Sequence, residues 1–397
     1  MKHIVIVGKY YPPVFGGVER YTRDVVNAVS DRNQVTVVVH SQTPEDIIEK
    51  RSNVTIIRCG TAKTISSQPL SLSMFKHLRK LKPDLVHFNA PNFWGAAMLL
   101  LMNYNAPLVI THHADVFGRP ILRRIVIPLY RRLARRTKCI VVNSMTNAYN
   151  SMDLPRNAGP FVEIPWGVDQ RPFDINDACR AEIAAERQQR FGDSPVIGFV
   201  GRFVRYKGLS VLIEALKTLE GVHALLIGNG PLRSQTEEHV RTANISNRVH
   251  FLGDIDEAKK IREMAMMDLL VLPSVDTTET FGLAQIEAQF MGLPVIASRL
   301  PTGVADVTID NVTGILVRPR DPIALADAIL RLIRDRALSQ RLGLAGHKYA
   351  LERFTLDTFK KTFSNLFEAV LSERSLDQFV APNSRLLPNS LRSKTDS

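Results

Sequence analysis

Residues 196–216 read VIGFVGRFVRYKGLSVLIEAL. The run 196–200 is apolar on both faces, which suits a strand covered by helices above and below, as in a parallel sheet. It ends at Gly201, a short basic loop follows, and from Leu209 the apolar positions recur at helical spacing. The same strand–loop–helix unit returns down the chain. Further strands are expected at 224–227, 249–252, 269–272 and 295–297, and helices at 209–219, 232–243, 258–266, 283–291 and 323–334. Two more helical stretches, near 338–353 and 357–372, close the series. This alternation predicts a doubly wound α/β domain.

The N-terminal part repeats the pattern. Strands are expected at 3–7, 34–39, 54–57, 84–88, 108–111 and 139–142, with helices at 18–30, 71–81, 93–102 and 121–136. The alternation breaks over 161–169, where IPWGVD brings Pro165 and Gly167 together to redirect the chain. The expected division is therefore one domain over 1–168, a second over 169–356, a last helix over 357–375 and a polar tail over 376–397. Two such domains in tandem imply a cleft between them. Ligands of doubly wound sheets bind beyond the carboxyl ends of the strands, so the loops after strands are where chemistry belongs.

Composition narrows the class. The chain has 397 residues, 45% hydrophobic and 23% charged, which excludes disordered and fibrous architectures. Its three cysteines (Cys59, Cys139, Cys179) form no CxxC pair, so neither a disulfide framework nor a zinc ribbon is expected, and a reducing, cytoplasmic setting fits. The apolar run 95–102 is too short to span a bilayer. Lys2 and the short apolar run 4–7 read as a first strand rather than a signal peptide.

The net charge is +12, and all of it resides in the first part: residues 1–168 hold 22 basic and 10 acidic residues, whereas 169–397 hold 29 of each. From Arg119 to Lys138 there are eight basic residues and no acidic one. This stretch is either a solvated helix face or a surface for an anionic partner: phospholipid, a phosphorylated acceptor or nucleic acid.

Five loops carry candidate chemistry. Gly16 and Gly17 open the first helix, as a plain turn or as bare backbone N–H groups offered to an anion. Arg202 and Lys207 follow strand 196–200; a guanidinium and an ammonium there would neutralise a departing diphosphate without a metal, while Arg205 reads as solvated. In ETFGLAQIEAQFMG, Glu279 and Glu287 would lie about 12 Å apart if all eight steps were helical, too far for a hydrolytic carboxylate pair but suited to two contacts on an elongated ligand. The N–H groups at Gly282 and Leu283 would meet phosphates between them. In THHADVFGR, His112, His113 and Asp115 follow strand 108–111, and only one histidine is expected to face the ligand. Asp254-Ile255-Asp256 forms a DxD that reads as a helix cap or a metal site.

Taken together, these motifs resemble the retaining glycosyltransferases of family 4, over about residues 1–372. The most specific element is the E-x7-E pattern from Glu279 to Glu287, supported by Arg202 and Lys207, by the GxGP segment 228–231 and by the PWGVD link. The resemblance implies the GT-B fold, two Rossmann-like doubly wound domains facing across a cleft. It implies a nucleotide-diphosphate sugar held by Arg202 and Lys207 at the diphosphate, by Glu287 at the ribose and by Glu279 at the sugar. Gly16 and Gly17 would approach the phosphates, and His113 would lie against the sugar. No metal or other cofactor is expected. The helix over 357–372 would cross back to the N-terminal domain. Transfer would proceed with retention, the departing phosphate oxygen taking the acceptor's proton. The chain departs from the usual pattern at Trp166, where asparagine is commoner.

The basic stretch suggests an acceptor. On a helix, Arg124, Arg131, Arg132 and Arg135 share one face and Leu122, Val126, Leu129 and Leu133 another, with Pro128 as a kink. This reads as peripheral attachment to an anionic membrane at its cytoplasmic face, with a lipid-linked saccharide as acceptor. THHAD looks more like the mannosyltransferases than the sucrose- or starch-related members, so GDP-mannose is the expected donor. The alternatives are a UDP-sugar-dependent enzyme with a soluble acceptor, a nucleotide-sugar epimerase and a basic nucleic-acid binder. Nucleic acid is not the expected partner.

Overall fold

The computed structural model describes residues 1–14, 16–65, 68–116, 120–155 and 158–380, the side chains of 120–122 and 125 excepted. Arg119 and the tail beyond 380 lie outside these residues. The chain divides into two units, Met1–Gly167 with Asp357–Ser397, and Val168–Leu356.

The first unit is built on an eight-stranded sheet ordered Phe161–Glu163, Cys139–Val142, Leu108–His112, Leu85–Ala90, Lys2–Val7, Asn33–His40, Val54–Cys59 and Ile47–Arg51. Every pairing is parallel except the last. Ile4, Val5, Ile6 and Val7 are all 0% exposed, because helices cover both faces. From Lys2–Val7 the chain first builds outward on one side and later returns to Leu85–Ala90 on the other. That reversal opens a crevice at the carboxyl ends of these two strands. The helix Leu356–Leu371 seals this unit from behind: Phe359 and Phe363 pack on Tyr21, and Phe363 and Phe367 on His87. Order continues past 376, the expected start of the tail, since Val380 bridges to Val162.

The second unit has a six-stranded, all-parallel sheet ordered Val249–Gly253, His223–Ile227, Val196–Val200, Leu269–Leu272, Val295–Ser298 and Gly314–Val317. Its reversal point lies between Val196–Val200 and Leu269–Leu272. Several of its elements fall outside the sequence reading, among them helix Asp177–Phe191, the short helix Val304–Val307 and strand Gly314–Val317. Helix Asp177–Phe191 buries only Ile183 and Phe191, so it has no apolar period to detect. It is fixed instead by the Asn176 cap and by pairing of Arg187 with Asp268 and Arg190 with Glu263. Strand Gly314–Val317 is four residues long and shows no alternation.

The basic helix spans Pro120–Ala134 and runs through Pro128. Its Val126, Ile127, Tyr130, Leu133 and Ala134 are buried in the first unit, so this apolar face is spent on the protein core rather than open to a bilayer. Arg131, expected on the solvent face, turns back to donate to the Met152 and Asp153 carbonyls, and Arg123 pairs with buried Asp153. Arg124, Arg132, Arg135, Arg136 and Lys138 stay exposed. All three cysteines are free, and burial pushes the Cys59 and Cys139 thiols up to about 12. No described helix is long and apolar enough to cross a membrane.

Candidate functional site

In the second unit the loop after strand Val196–Val200 is braced by backbone bonds. Gly201 N–H donates to Ile227, Phe203 N–H to Asn229 and Leu232 N–H to Phe203, so the GxGP segment serves as the scaffold of the loop that carries Arg202. A single 3-10 turn, Arg205–Lys207, ends at Gly208 with φ +69°. A Cβ there would sit 2.0 Å from the Pro273 carbonyl oxygen, so only glycine lets this loop close on the strand beside it. Val275 N–H donates to the Tyr206 carbonyl (2.8 Å), locking together the two loops that flank the reversal point.

That locking brings Lys207 to Glu279. Nζ lies 2.6 Å from Oε2, and the two side chains are only 12% and 7% exposed. Ser274 Oγ donates to the same carboxylate oxygen at 2.9 Å. Burial, with the Glu279 charge second, raises the pKa of the adjacent Tyr206 hydroxyl. Arg202 is exposed and makes no ion pair among the described residues. The structure thus joins Lys207 to Glu279 and leaves Arg202 on the open side of the loop.

Glu279 is not helical. The helix is Leu283–Phe290, with Gly282 in the left-handed region at its start, so the eight-step helical spacing expected between the carboxylates does not exist. Buried Gln285 holds the helix start in place: Nε2 donates to the Phe281 carbonyl, and Oε1 accepts from Thr308 Oγ1, each at 2.6 Å. In the first turn Gln285 N–H donates to the Gly282 carbonyl at 3.1 Å, while the N–H groups of Leu283 and Ala284 have no acceptor within the helix. Glu287 lies within the helix and pairs with Lys260 at 3.0 Å; Lys260 also pairs with Glu257. Sequence reasoning missed Lys260 and Ser274, since only the tertiary fold brings them to the two glutamates. In the DxD, Asp256 Oδ1 accepts from Lys259 N–H at 2.8 Å and caps the helix Glu257–Met264. Among the described residues no group of three His, Cys, Asp or Glu side chains is arranged to hold a metal.

In the first unit the carboxyl ends of the strands bring together Gly16, Gly17, Asn89, His113 and Trp166. His113 is 6% exposed, with Nε2 3.0 Å from Asn89 Oδ1. A relay of bonds sets its tautomer. Thr22 Oγ1 donates to the Val18 carbonyl and accepts from Asn89 Nδ2. Asn89 Oδ1 is then an acceptor, His113 Nε2 carries the proton, and Nδ1 is a bare lone pair. Burial, aided by His87 and His112, lowers the His113 pKa to about 3, so the ring is neutral. His112 is committed elsewhere: Nδ1 to Tyr130 and Nε2 to Asp115. Gly17 opens helix Gly17–Val29 as expected. Glu19 folds over Gly16, its carboxyl pKa raised by burial, and the Trp166 ring lies beside Gly17.

The family described as "Glycosyl transferases group 1" matches residues 181–349, and "Glycosyltransferase Family 4" matches residues 15–171. The chain is 26% identical to the O-antigen chain mannosyltransferase C of Escherichia coli, over 94% of this chain and all of that protein. It is 27% identical to the D-rhamnosyltransferase WbpZ of Pseudomonas aeruginosa, over 80% and 82% of the two chains. Its structure is similar to that of sucrose-phosphate synthase from Thermosynechococcus elongatus, with TM-score 0.76 and 24% identity over 94% of this chain and all of the other. This likeness assigns the GT-B fold.

Proposed function

We propose that this chain, which belongs to the family 4 glycosyltransferases, moves a mannosyl residue from GDP-mannose to a hydroxyl of a lipid-linked saccharide, with retention at the anomeric carbon. The observation that carries the reading is the buried Lys207–Glu279 pair at the reversal point of the second sheet. A cation and a carboxylate held 2.6 Å apart are a pre-set pair of contacts for a sugar diphosphate. Lys207 passes to the diphosphate as Glu279 passes to a sugar hydroxyl, so neither is left buried and unpaired when the donor binds. Arg202 adds a second cation to the phosphates from the open side, and Glu287 takes the ribose hydroxyls.

In the reaction the bond from the anomeric carbon to the diphosphate breaks, and the acceptor oxygen forms its bond on the same face. The acceptor's proton goes to the departing phosphate oxygen, which Lys207 and Arg202 stabilise as charge develops on it. The mannosyl assignment is supported by the mannosyltransferases among the similar proteins and by the THHAD segment. The thermal-shift experiment compares GDP-, UDP- and ADP-sugars: a ligand bound only by the folded state raises the melting temperature. GDP-mannose is expected to give the largest rise and to support transfer that Glu279→Gln abolishes. Equal shifts with all three donors would remove the GDP assignment, and transfer undiminished in Glu279→Gln would remove the site.

The acceptor is placed at an anionic membrane surface, at the cytoplasmic face. The cations for this contact are the exposed Arg124, Arg132, Arg135, Arg136 and Lys138. The apolar anchors come from another part of the first unit, where Ile65, Leu72 and Phe75 are 46%, 72% and 38% exposed. Lys63, Lys76, Arg79, Lys80 and Lys82 surround them in sequence, and 61–83 contains no Asp or Glu. Apolar side chains flanked by Lys and Arg suit the headgroup region of an anionic bilayer.

A further inference from the structure

Trp166 has no chemical role in the reaction as described so far, yet it stands at the centre of the first unit's ligand edge. Its ring centroid is 5.3 Å from that of Tyr21 and 5.9 Å from that of His113. It approaches Gly17 so closely that a Cβ there would be 3.0 Å from the ring. Two polar atoms of this cluster are shut off from solvent and have no hydrogen-bond partner among the described residues: Trp166 Nε1 and His113 Nδ1. The first is a donor only. The second, by the Thr22–Asn89 relay, is an acceptor only. Buried polar groups are almost always satisfied, so two adjacent orphans of opposite kind point to a group supplied from outside the chain.

One kind of group answers both. A hydroxyl oxygen accepts from the indole N–H while its hydrogen goes to the imidazole. A phosphate or carbonyl oxygen would answer only the indole, and an ammonium only the imidazole. Two bonds of about 2.9 Å meeting at a hydroxyl hold their outer atoms about 5 Å apart, which neighbouring rings at this spacing can supply. We propose that Trp166 is a sugar-binding residue of this enzyme. Its indole N–H and His113 Nδ1 share one hydroxyl of a sugar, and the ring lies along that sugar's apolar face. The ring swings aside to admit it, on the backbone between Pro165 and Gly167. The sugar comes from the nucleotide donor or from the acceptor saccharide. The proposal rests on the transferase reading above.

The chain has two tryptophans, and the other, Trp94, is tied by Nε1 to the Ser71 carbonyl at 2.8 Å. Trp94→Phe therefore leaves Trp166 as the sole indole emitter. The full chain carrying it is titrated with GDP, with GDP-mannose and with a free mannooligosaccharide. Emission is expected to respond to a sugar-bearing ligand and not to GDP. A response to GDP-mannose assigns the donor sugar, and a response to the oligosaccharide alone assigns the acceptor. In parallel, Trp166→Phe keeps an aromatic ring and removes the N–H. Its kcat/KM is expected to fall roughly tenfold to a hundredfold with the parent sugar, and not to fall with the one monodeoxy analogue that lacks the bound hydroxyl. The same loss with every analogue, or no loss, overturns the proposal, as does emission that answers GDP alone or no sugar; the two atoms then enclose a water. Absence of transfer by the wild-type chain from any nucleotide sugar would defeat the transferase reading instead, whatever Trp166 emission does.

Discussion

At the scale of the residue, charge and burial decide most of the behaviour. Lys207 and Glu279 are buried together, so removing one partner leaves the other uncompensated. Lys207→Met alone is expected to cost about 3 kcal/mol or more of stability, whereas Lys207→Met with Glu279→Gln recovers most of it, because no buried charge remains. Denaturant midpoints of the two variants check this, and neither variant should transfer sugar. Three histidines of the first unit set a pH dependence. Burial lowers the pKa of His40 to about 4 and those of His87 and His113 to about 3. In the unfolded chain each takes up a proton near 6.5. Their contribution is therefore fully present above pH 6.5 and is lost as pH falls toward 4, because the unfolded state binds the extra protons. The slope is at most about 1.4 kcal/mol per pH unit for each. Urea midpoints at pH 7, 6 and 5 should decline accordingly, and His87→Leu should flatten the decline by one proton's worth.

At the scale of the element, the same composition has different fates. The helix Pro120–Ala134 and the segment around Leu72–Leu78 are both basic with apolar positions interspersed. The first buries Val126, Ile127, Tyr130, Leu133 and Ala134, and the second leaves Leu72 and Phe75 in solvent. Flotation with anionic vesicles separates them. Leu72→Asp with Phe75→Asp should abolish recovery at any salt, whereas charge reversal at Arg132 and Arg135 should weaken it at low salt only, since surface attraction is screened within about 8–10 Å under ordinary ionic strength. Equal recovery on neutral vesicles would remove the charge contribution, and no recovery on either kind of vesicle would remove both. Helix Asp177–Phe191 makes the complementary point: it forms without an apolar stripe because its cap and two arginine pairs replace one.

At the scale of the molecule, the second unit is an insertion into the first. Its chain enters and leaves side by side, with Val168 N–H bonded to the Phe354 carbonyl at 2.8 Å and Leu356 N–H to the Val168 carbonyl at 2.9 Å. The first unit, by contrast, is completed only when Phe359, Phe363 and Phe367 return to cover Tyr21 and His87. Residues 168–356 expressed alone should therefore melt cooperatively and bind GDP. Residues 1–167 alone should expose that aromatic face and fail to give a cooperative transition until 357–380 is added. Circular dichroism melts of the three chains settle the matter; a cooperative melt of 1–167 alone would contradict it.

The alternation of apolar runs with helical periods was enough to read two doubly wound units, because strands covered on both faces are apolar throughout, although the four-residue Gly314–Val317 escaped this reading. Glu279, Arg202, Lys207, Gly282 and His113 could be singled out for a related reason: each stands in a loop after a strand, where such sheets bind ligands, whereas Glu287 lies inside the helix that follows. Partnership was not legible. That Lys207 meets Glu279 while Arg202 does not, that Lys260 holds Glu287, and that Trp166 and His113 each keep one polar atom unsatisfied depends on loops that meet only across a reversal of strand order. Local periodicity encodes which face of an element is buried. Which side chain lies opposite is decided by contacts far apart in sequence, and no short window of residues records them.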